Sequence, residues 1–70
     1  MKVIVNGMAH DWERKKISYS DVFKMAFPDE EVVLLSCTYR TTFREGILAT
    51  CDWIPSEHGM VFSIIGTGSA

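Results

Sequence analysis

Residues 17–28 read Ile17-Ser18-Tyr19-Ser20-Asp21-Val22-Phe23-Lys24-Met25-Ala26-Phe27-Pro28. Ser18 is a good helix N-cap, because its hydroxyl can accept from a first-turn N–H that has no intrahelical partner. Asp21, three residues on, approximates a capping box. Tyr19, Val22, Phe23 and Ala26 then recur at i, i+3, i+4 and i+7, which makes one apolar stripe. Pro28 cannot continue a helix and biases Phe27 away from α geometry. The spacing predicts a helix from about Tyr19 to Phe27, with one face packed on a core.

Working outward toward the N-terminus, Asn6-Gly7 separates two short runs. Both residues tolerate positive φ, so the pair favours a two-residue hairpin turn. Met1 to Asn6 reads as a strand with Val3 and Val5 on one face and Ile4 on the other. Met8 to Glu13 is the returning strand, and Trp12 is expected in the core. On the other side of the helix, Asp29-Glu30-Glu31 is an acidic loop. Val32 to Arg40 is rich in β-branched and aromatic residues and reads as a strand, its apolar start suggesting a central position. Thr41 to Gly46 reads as a turn, Ile47 to Trp53 as a segment able to hold a short fourth strand, Pro55 to Gly59 as a second turn, and Met60 to Ile65 as the last strand. Residues 66–70, Gly66-Thr67-Gly68-Ser69-Ala70, offer nothing to pack and are expected to form a mobile tail.

A hairpin, a crossing helix and further strands define an α+β plan, a β-grasp. It has a mixed sheet of four to five strands and one helix on one face. The last strand pairs in parallel with the first after the long excursion that parallel pairing needs. Residues 1–65 form the domain and 66–70 the tail.

A chain of 70 residues with 47% hydrophobic content supports one modest core, burying about 60% of its unfolded surface. It is not expected to supply a deep substrate cleft. The formal net charge is −2, and no basic stripe matches a phosphate backbone, so nucleic acid is not an expected partner. Arg14-Lys15-Lys16 reads as a solvated turn. No apolar run is long enough to cross a bilayer, and the N-terminus turns polar too soon for a signal peptide. Cys37 and Cys51 are expected as reduced core or sheet residues of a cytoplasmic protein.

Candidate chemistry is sparse. Cys37, Cys51, His10 and His58 lack the spacings of a structural zinc set. A Cys–His nucleophile needs a thiolate in a cationic, partly exposed pocket, whereas Cys37 lies in an apolar strand. Asp29-Glu30-Glu31 reads as a solvated loop, not as a paired-carboxylate site. Gly66-Thr67-Gly68 precedes no helix that would hold a phosphate. No enzymatic activity and no cofactor are expected. The tail is the exception, because slender residues before a carboxylate can thread into another protein's active site. The sheet face opposite the helix is the second candidate. Alternation puts Phe62 and Ile64 inward and Ser63 and Ile65 outward, and Ile65 with Ile4 is expected to form a small exposed apolar patch for partners.

Residues 17–28 resemble the ISYEEVVKLAFP stretch of the bacterial multiubiquitin-type domains. Ile4-Val5-Asn6-Gly7, Thr38-Tyr39-Arg40 and Gly59-Met60-Val61-Phe62 are similar to that family as well, so the resemblance covers most of residues 2–65. It implies a ubiquitin-like protein from bacterial operons that encode a ubiquitin-activating-like enzyme, a conjugating-like enzyme and a JAB-type metalloprotease, associated with antiphage defence. Gly66 and Gly68 are split by Thr67, unlike a terminal Gly-Gly pair. The implied processing is cleavage between Gly68 and Ser69, followed by activation of the Gly68 carboxylate and transfer to an amine on a protein target. Gly66 and Thr67 would be the threading segment. The competing expectations are a non-covalent β-grasp interaction module and a sulfur carrier.

Overall fold

A computed structural model describes residues 1–31 and 36–65 of the chain. In chain order the elements are β1 (Lys2–Val5), β2 (Met8–Asp11), β3 (Lys16–Ser18), α1 (Tyr19–Ala26), β4 (Ser36–Arg40), β5 (Glu45–Ile47), β6 (Trp53–Pro55) and β7 (Val61–Ile65). The main sheet has five strands in the order β2-β1-β7-β4-β5, and β3 pairs with β6 in a separate two-stranded ribbon. β1 and β7 are parallel, while β1–β2, β4–β7 and β4–β5 are antiparallel. This mixed sheet with one helix across it is the β-grasp expected from the sequence.

The local causes are those the sequence displays. Asn6 and Gly7 adopt φ of +49° and +84°, closing the hairpin so that Val5 faces Met8 across it. Ser18 Oγ accepts from the Asp21 N–H, and the Asp21 carboxylate accepts from the Ser18 N–H at 3.0 Å, which completes the capping box. Tyr19, Val22 and Phe23 are buried on the helix face. They meet Val3 and Val5 of β1, Cys37 of β4, Phe62 and Ile64 of β7, and Ile17, Leu48 and Met60 in one core. Burying these side chains contributes about 1.5–3 kcal/mol each for the larger aliphatic and aromatic groups.

Several expectations are corrected. The Arg14-Lys15-Lys16 run is not wholly a turn, because Lys16 opens β3, opposite Pro55 of β6. The segment 41–46 is not turn throughout: Glu45 and Gly46 already belong to β5, with Gly46 opposite Tyr39. The strand expected somewhere in 47–53 is divided between β5 and β6. Trp12 contributes to the core from its rim, half-buried against it with the indole N–H donating to the Lys16 carbonyl at 3.0 Å. Cys51 is exposed, unlike Cys37. The expected strand from Val32 is observed over Ser36–Arg40; residues 32–35 lie outside the described residues, as does the expected tail, 66–70.

Candidate functional site

The strand that leads toward the tail is the middle of the sheet. β7 has β1 on one side and β4 on the other, so its backbone is paired along both edges. On the β1 side the Ile4 N–H donates to the Met60 carbonyl at 2.9 Å and the Asn6 N–H to the Phe62 carbonyl at 3.0 Å. β1 ends there, and the Asn6 side chain takes over its pairing role. Its Nδ2 donates to the Ile64 carbonyl at 3.0 Å, and its Oδ1 accepts from the Ile64 N–H at 2.9 Å. One amide thus satisfies both backbone groups of Ile64, one residue before the last described position. The ladder is extended by a side chain where no further strand residue is available.

The alternation along β7 sorts its side chains. Phe62 and Ile64 are buried, Ser63 is half-buried, and Ile65 is 62% exposed on the face away from the helix. That agrees with the expected assignment of inward and outward residues. The expected pairing of Ile65 with Ile4 does not hold. Ile4 stands opposite Val61, four residues before Ile65, and is itself half-buried. Four residues of strand separate the two positions by about 13 Å. Ile65 instead lies opposite Ser36 of β4.

Register on the same face reveals two apolar residues that sequence reasoning did not place in the patch. Val61, 40% exposed, stands beside Ile4, and Ile47 of β5, 78% exposed, stands opposite Thr38, which is opposite Ser63. A shallow concavity runs between them, bounded by Arg40, Glu45, Val61 and Ser63. Arg40 Nε and Glu45 Oε2 are 4.0 Å apart at its edge, both well exposed. Val61 was legible from alternation along β7. Ile47 was not, because its strand begins at Glu45 in what read as a turn. Beyond Arg40, the Thr41 hydroxyl accepts from the Arg44 N–H at 3.0 Å and holds a tight loop whose Phe43 is 87% exposed.

The titratable residues form no reaction centre among the described residues. Burial pushes the Cys37 thiol up to about 11, away from the thiolate a nucleophile needs. His58 Nδ1 accepts from the Lys2 N–H at 3.0 Å, a structural role at the strand edge. No three His, Cys, Asp or Glu side chains come together as a metal set among the described residues. Asp29, Glu30 and Glu31 are exposed. Lys2 Nζ lies 2.8 Å from the Asp11 carboxylate and holds that carboxyl below its usual value. No helix among the described residues is long and apolar enough to cross a membrane. The expected processing residues, Gly66, Thr67, Gly68 and Ser69, lie outside the described residues.

Compared with known proteins, residues 1–68 match the family model described as Multiubiquitin. No curated protein and no solved structure is similar enough to count as a match.

Proposed function

This chain belongs to the multiubiquitin family, and from that membership we propose that it acts as a ubiquitin-like protein modifier without catalytic activity of its own. In this reading a JAB-type metalloprotease hydrolyses the Gly68–Ser69 peptide bond and releases the segment that begins at Ser69. The freed Gly68 carboxylate attacks the α-phosphorus of ATP at a ubiquitin-activating-like enzyme, giving an acyl-adenylate and pyrophosphate. An enzyme cysteine displaces AMP to form a thioester, and a conjugating-like enzyme relays the acyl group. An amine on a protein target then displaces the thiol, forming an amide bond. Gly66 and Thr67 pass through the narrow channel of the activating enzyme, where side chains larger than theirs would obstruct threading. The setting is bacterial cytoplasm, in a pathway of antiphage defence.

The observation that carries this reading is the family match itself, which covers residues 1–68. The fold is consistent with it. β7, held on both edges and clamped by Asn6, runs toward residues 66–70 from the middle of the sheet. Co-expression with the three partner enzymes followed by intact-mass analysis tests the proposal. The expected product has lost Ser69-Ala70 and forms target adducts through Gly68, and Gly68→Glu abolishes them. Conjugates that all retain Ser69-Ala70 would sink it.

A second reading, a non-covalent interaction module, is favoured by one observation: Ile47, Val61 and Ile65 are exposed on the face opposite the helix. Such a module would keep its partner binding in Gly68→Glu. A sulfur carrier would use the same adenylation to make a thiocarboxylate at Gly68, which mass analysis separates from an amide adduct.

A further inference from the structure

The two ends of α1 carry opposite charges that the fold leaves unneutralised. Before the helix, Arg14, Lys15 and Lys16 are all exposed. After it, Asp29, Glu30 and Glu31 are all exposed. None of the six forms an ion pair among the described residues, where the pairs are Met1–Glu13, Lys2–Asp11 and Arg40–Glu45. The eight residues of the helix separate its two ends by about 12 Å along the axis.

The helix itself follows its dipole, with Asp21 in the first turn and Lys24 in the last, whereas the flanking runs are placed against it, since anions are favoured at the N-terminus and cations at the C-terminus. The basic run borders the helix N-terminus. The Glu30 N–H donates to the Phe27 carbonyl at 3.2 Å, which folds the acidic run back against the C-terminus. Stability of the fold therefore does not explain either run.

The basic end is also shaped. Arg14, Lys15, Lys16, Ser18, Asp21 and Trp53 line a concavity. Trp53 is 55% exposed there, with Lys16 Nζ 4.0 Å from the centre of its ring. The one carboxylate in the lining, Asp21, is taken up by the Ser18 N–H and hydroxyl. Glu13, just outside, stands 4.0 Å from the N-terminal amine. An exposed tryptophan and an arginine are residue types enriched at interfaces, and the two lysines beside them supply the charge that a polar rim uses to orient a partner.

We propose that this concavity receives the Pro28-Asp29-Glu30-Glu31 loop of a second copy of the chain. The three carboxylates face Arg14, Lys15 and Lys16, and Pro28 is the apolar residue that covers the Trp53 ring. The contact is head-to-tail: each copy offers its acidic end and receives another at its basic end, so copies add in a line unless the rotation closes a ring. Exposed charge pairs contribute little singly and confer register and orientation more than affinity. The contact is accordingly weak between separate copies and is strengthened wherever copies are tethered.

The test uses the protein alone. Backbone and indole N–H resonances are followed from about 0.05 to 2 mM protein in low salt, then with salt raised until the Debye length falls to about 5 Å. The expected result is concentration-dependent shifts at residues 14–16, the Trp53 indole and residues 29–31, abolished by salt. Reversing one end (Arg14→Glu with Lys15→Glu) or the other (Glu30→Lys with Glu31→Lys) weakens self-association at least about tenfold. Mixing the two variants restores it. Resonances that do not move with concentration overturn the proposal, as do shifts confined to the β4–β5–β7 face. Binding of a synthetic acidic peptide to the concavity without self-association assigns the site to another partner and overturns it too. Should a charge-reversal variant fail to fold, the dilution and salt series on the unaltered chain still decides.

Discussion

Replacing Asn6 with glycine separates the two roles that residue plays. Gly adopts a φ near +49° without steric cost, so the hairpin turn survives. What disappears is the side-chain amide that donates to the Ile64 carbonyl at 3.0 Å and accepts from its N–H at 2.9 Å. Each such bond contributes a net of about 1 kcal/mol, and part-buried partners left to imperfect solvation raise the cost. Asn6→Gly is expected to destabilise the domain by about 2 kcal/mol, with a few tenths more from the entropy of the freed backbone. A domain of this size holds only about 3–10 kcal/mol in total. The thermal midpoint should fall by roughly 8–16 °C. Thermal unfolding by circular dichroism, with urea unfolding to check that the slope is unchanged, measures it. Asn6→Asp sharpens the test. It keeps the acceptor but sets a carboxylate against the Ile64 carbonyl, which disfavours the charged form and raises the folded-state pKa of the introduced group. A raised folded value means stability is highest in acid and is lost as pH rises through it, so Asn6→Asp should recover as pH falls through the carboxylate range. A midpoint for Asn6→Gly within about 3 °C of the parent would refute the clamp.

The remaining expectations are simpler. A Cβ added at Gly46 would lie 3.2 Å from the Tyr39 hydroxyl and 3.3 Å from its ring, so Gly46→Ala should cost about 1–2 kcal/mol, and an unchanged midpoint would show that the Tyr39 ring gives way. Cys37, buried with its thiol pushed to about 11, should resist a thiol reagent at neutral pH while exposed Cys51 reacts, giving one fast thiol per chain. Because the folded value lies above the unfolded one, stability is full below about pH 8.5 and falls as pH rises through 11; a stability flat to pH 11 would mean water reaches Cys37. Ile65→Asp places its charge on a residue 62% exposed, so it should shift stability by no more than about 0.5 kcal/mol while weakening binding of the activating-like enzyme. Unfolding in that variant would show the register of β7 to be different.

The parts of this fold that were legible in the sequence are those set by local chemistry. Asn6-Gly7 specifies its turn through backbone geometry, and Ser18 with Asp21 specifies the helix start through hydrogen bonds three residues apart. The β7 alternation is long enough, at five residues, to show which side chains turn inward. β3 and β6 were not legible, because three residues each give no measurable period, and each exists only through its pairing with the other. Gly46 misled for a different reason. Glycine usually punctuates turns, whereas here it lies in β5 with the Tyr39 ring closely over it. Size was only a partial guide at Trp12, which packs on the core from its rim, since a large apolar residue predicts burial only on average. The site followed the same division. Ser63 and Ile65 were visible from one strand's period, but their neighbours depended on inter-strand register, which placed Val61 beside Ile4 and brought Ile47 into the face. The Asn6 clamp spans 58 positions and leaves no local trace.

The apolar residues on the outer face of β7 are not accounted for by folding. A sheet covered by a helix on one side needs hydrophobic residues only on that side, and β7 supplies them with Phe62 and Ile64. Val61 and Ile65 add exposed apolar area to the same strand, at a cost in solubility that packing does not offset. A partner that covers them returns that cost. The strand's connectivity then matters, because Gly68 follows Ile65 by three residues and is at most about 10 Å of extended chain away. On the proposed modifier reading, a protein gripping Ile65 would have the Gly68 carboxylate within reach of its own active site. Docking and chemistry need not be two separate recognition events. The Asn6 clamp holds both backbone groups of Ile64, so the strand is paired to within one residue of Ile65 on the face where the proposed partner would dock.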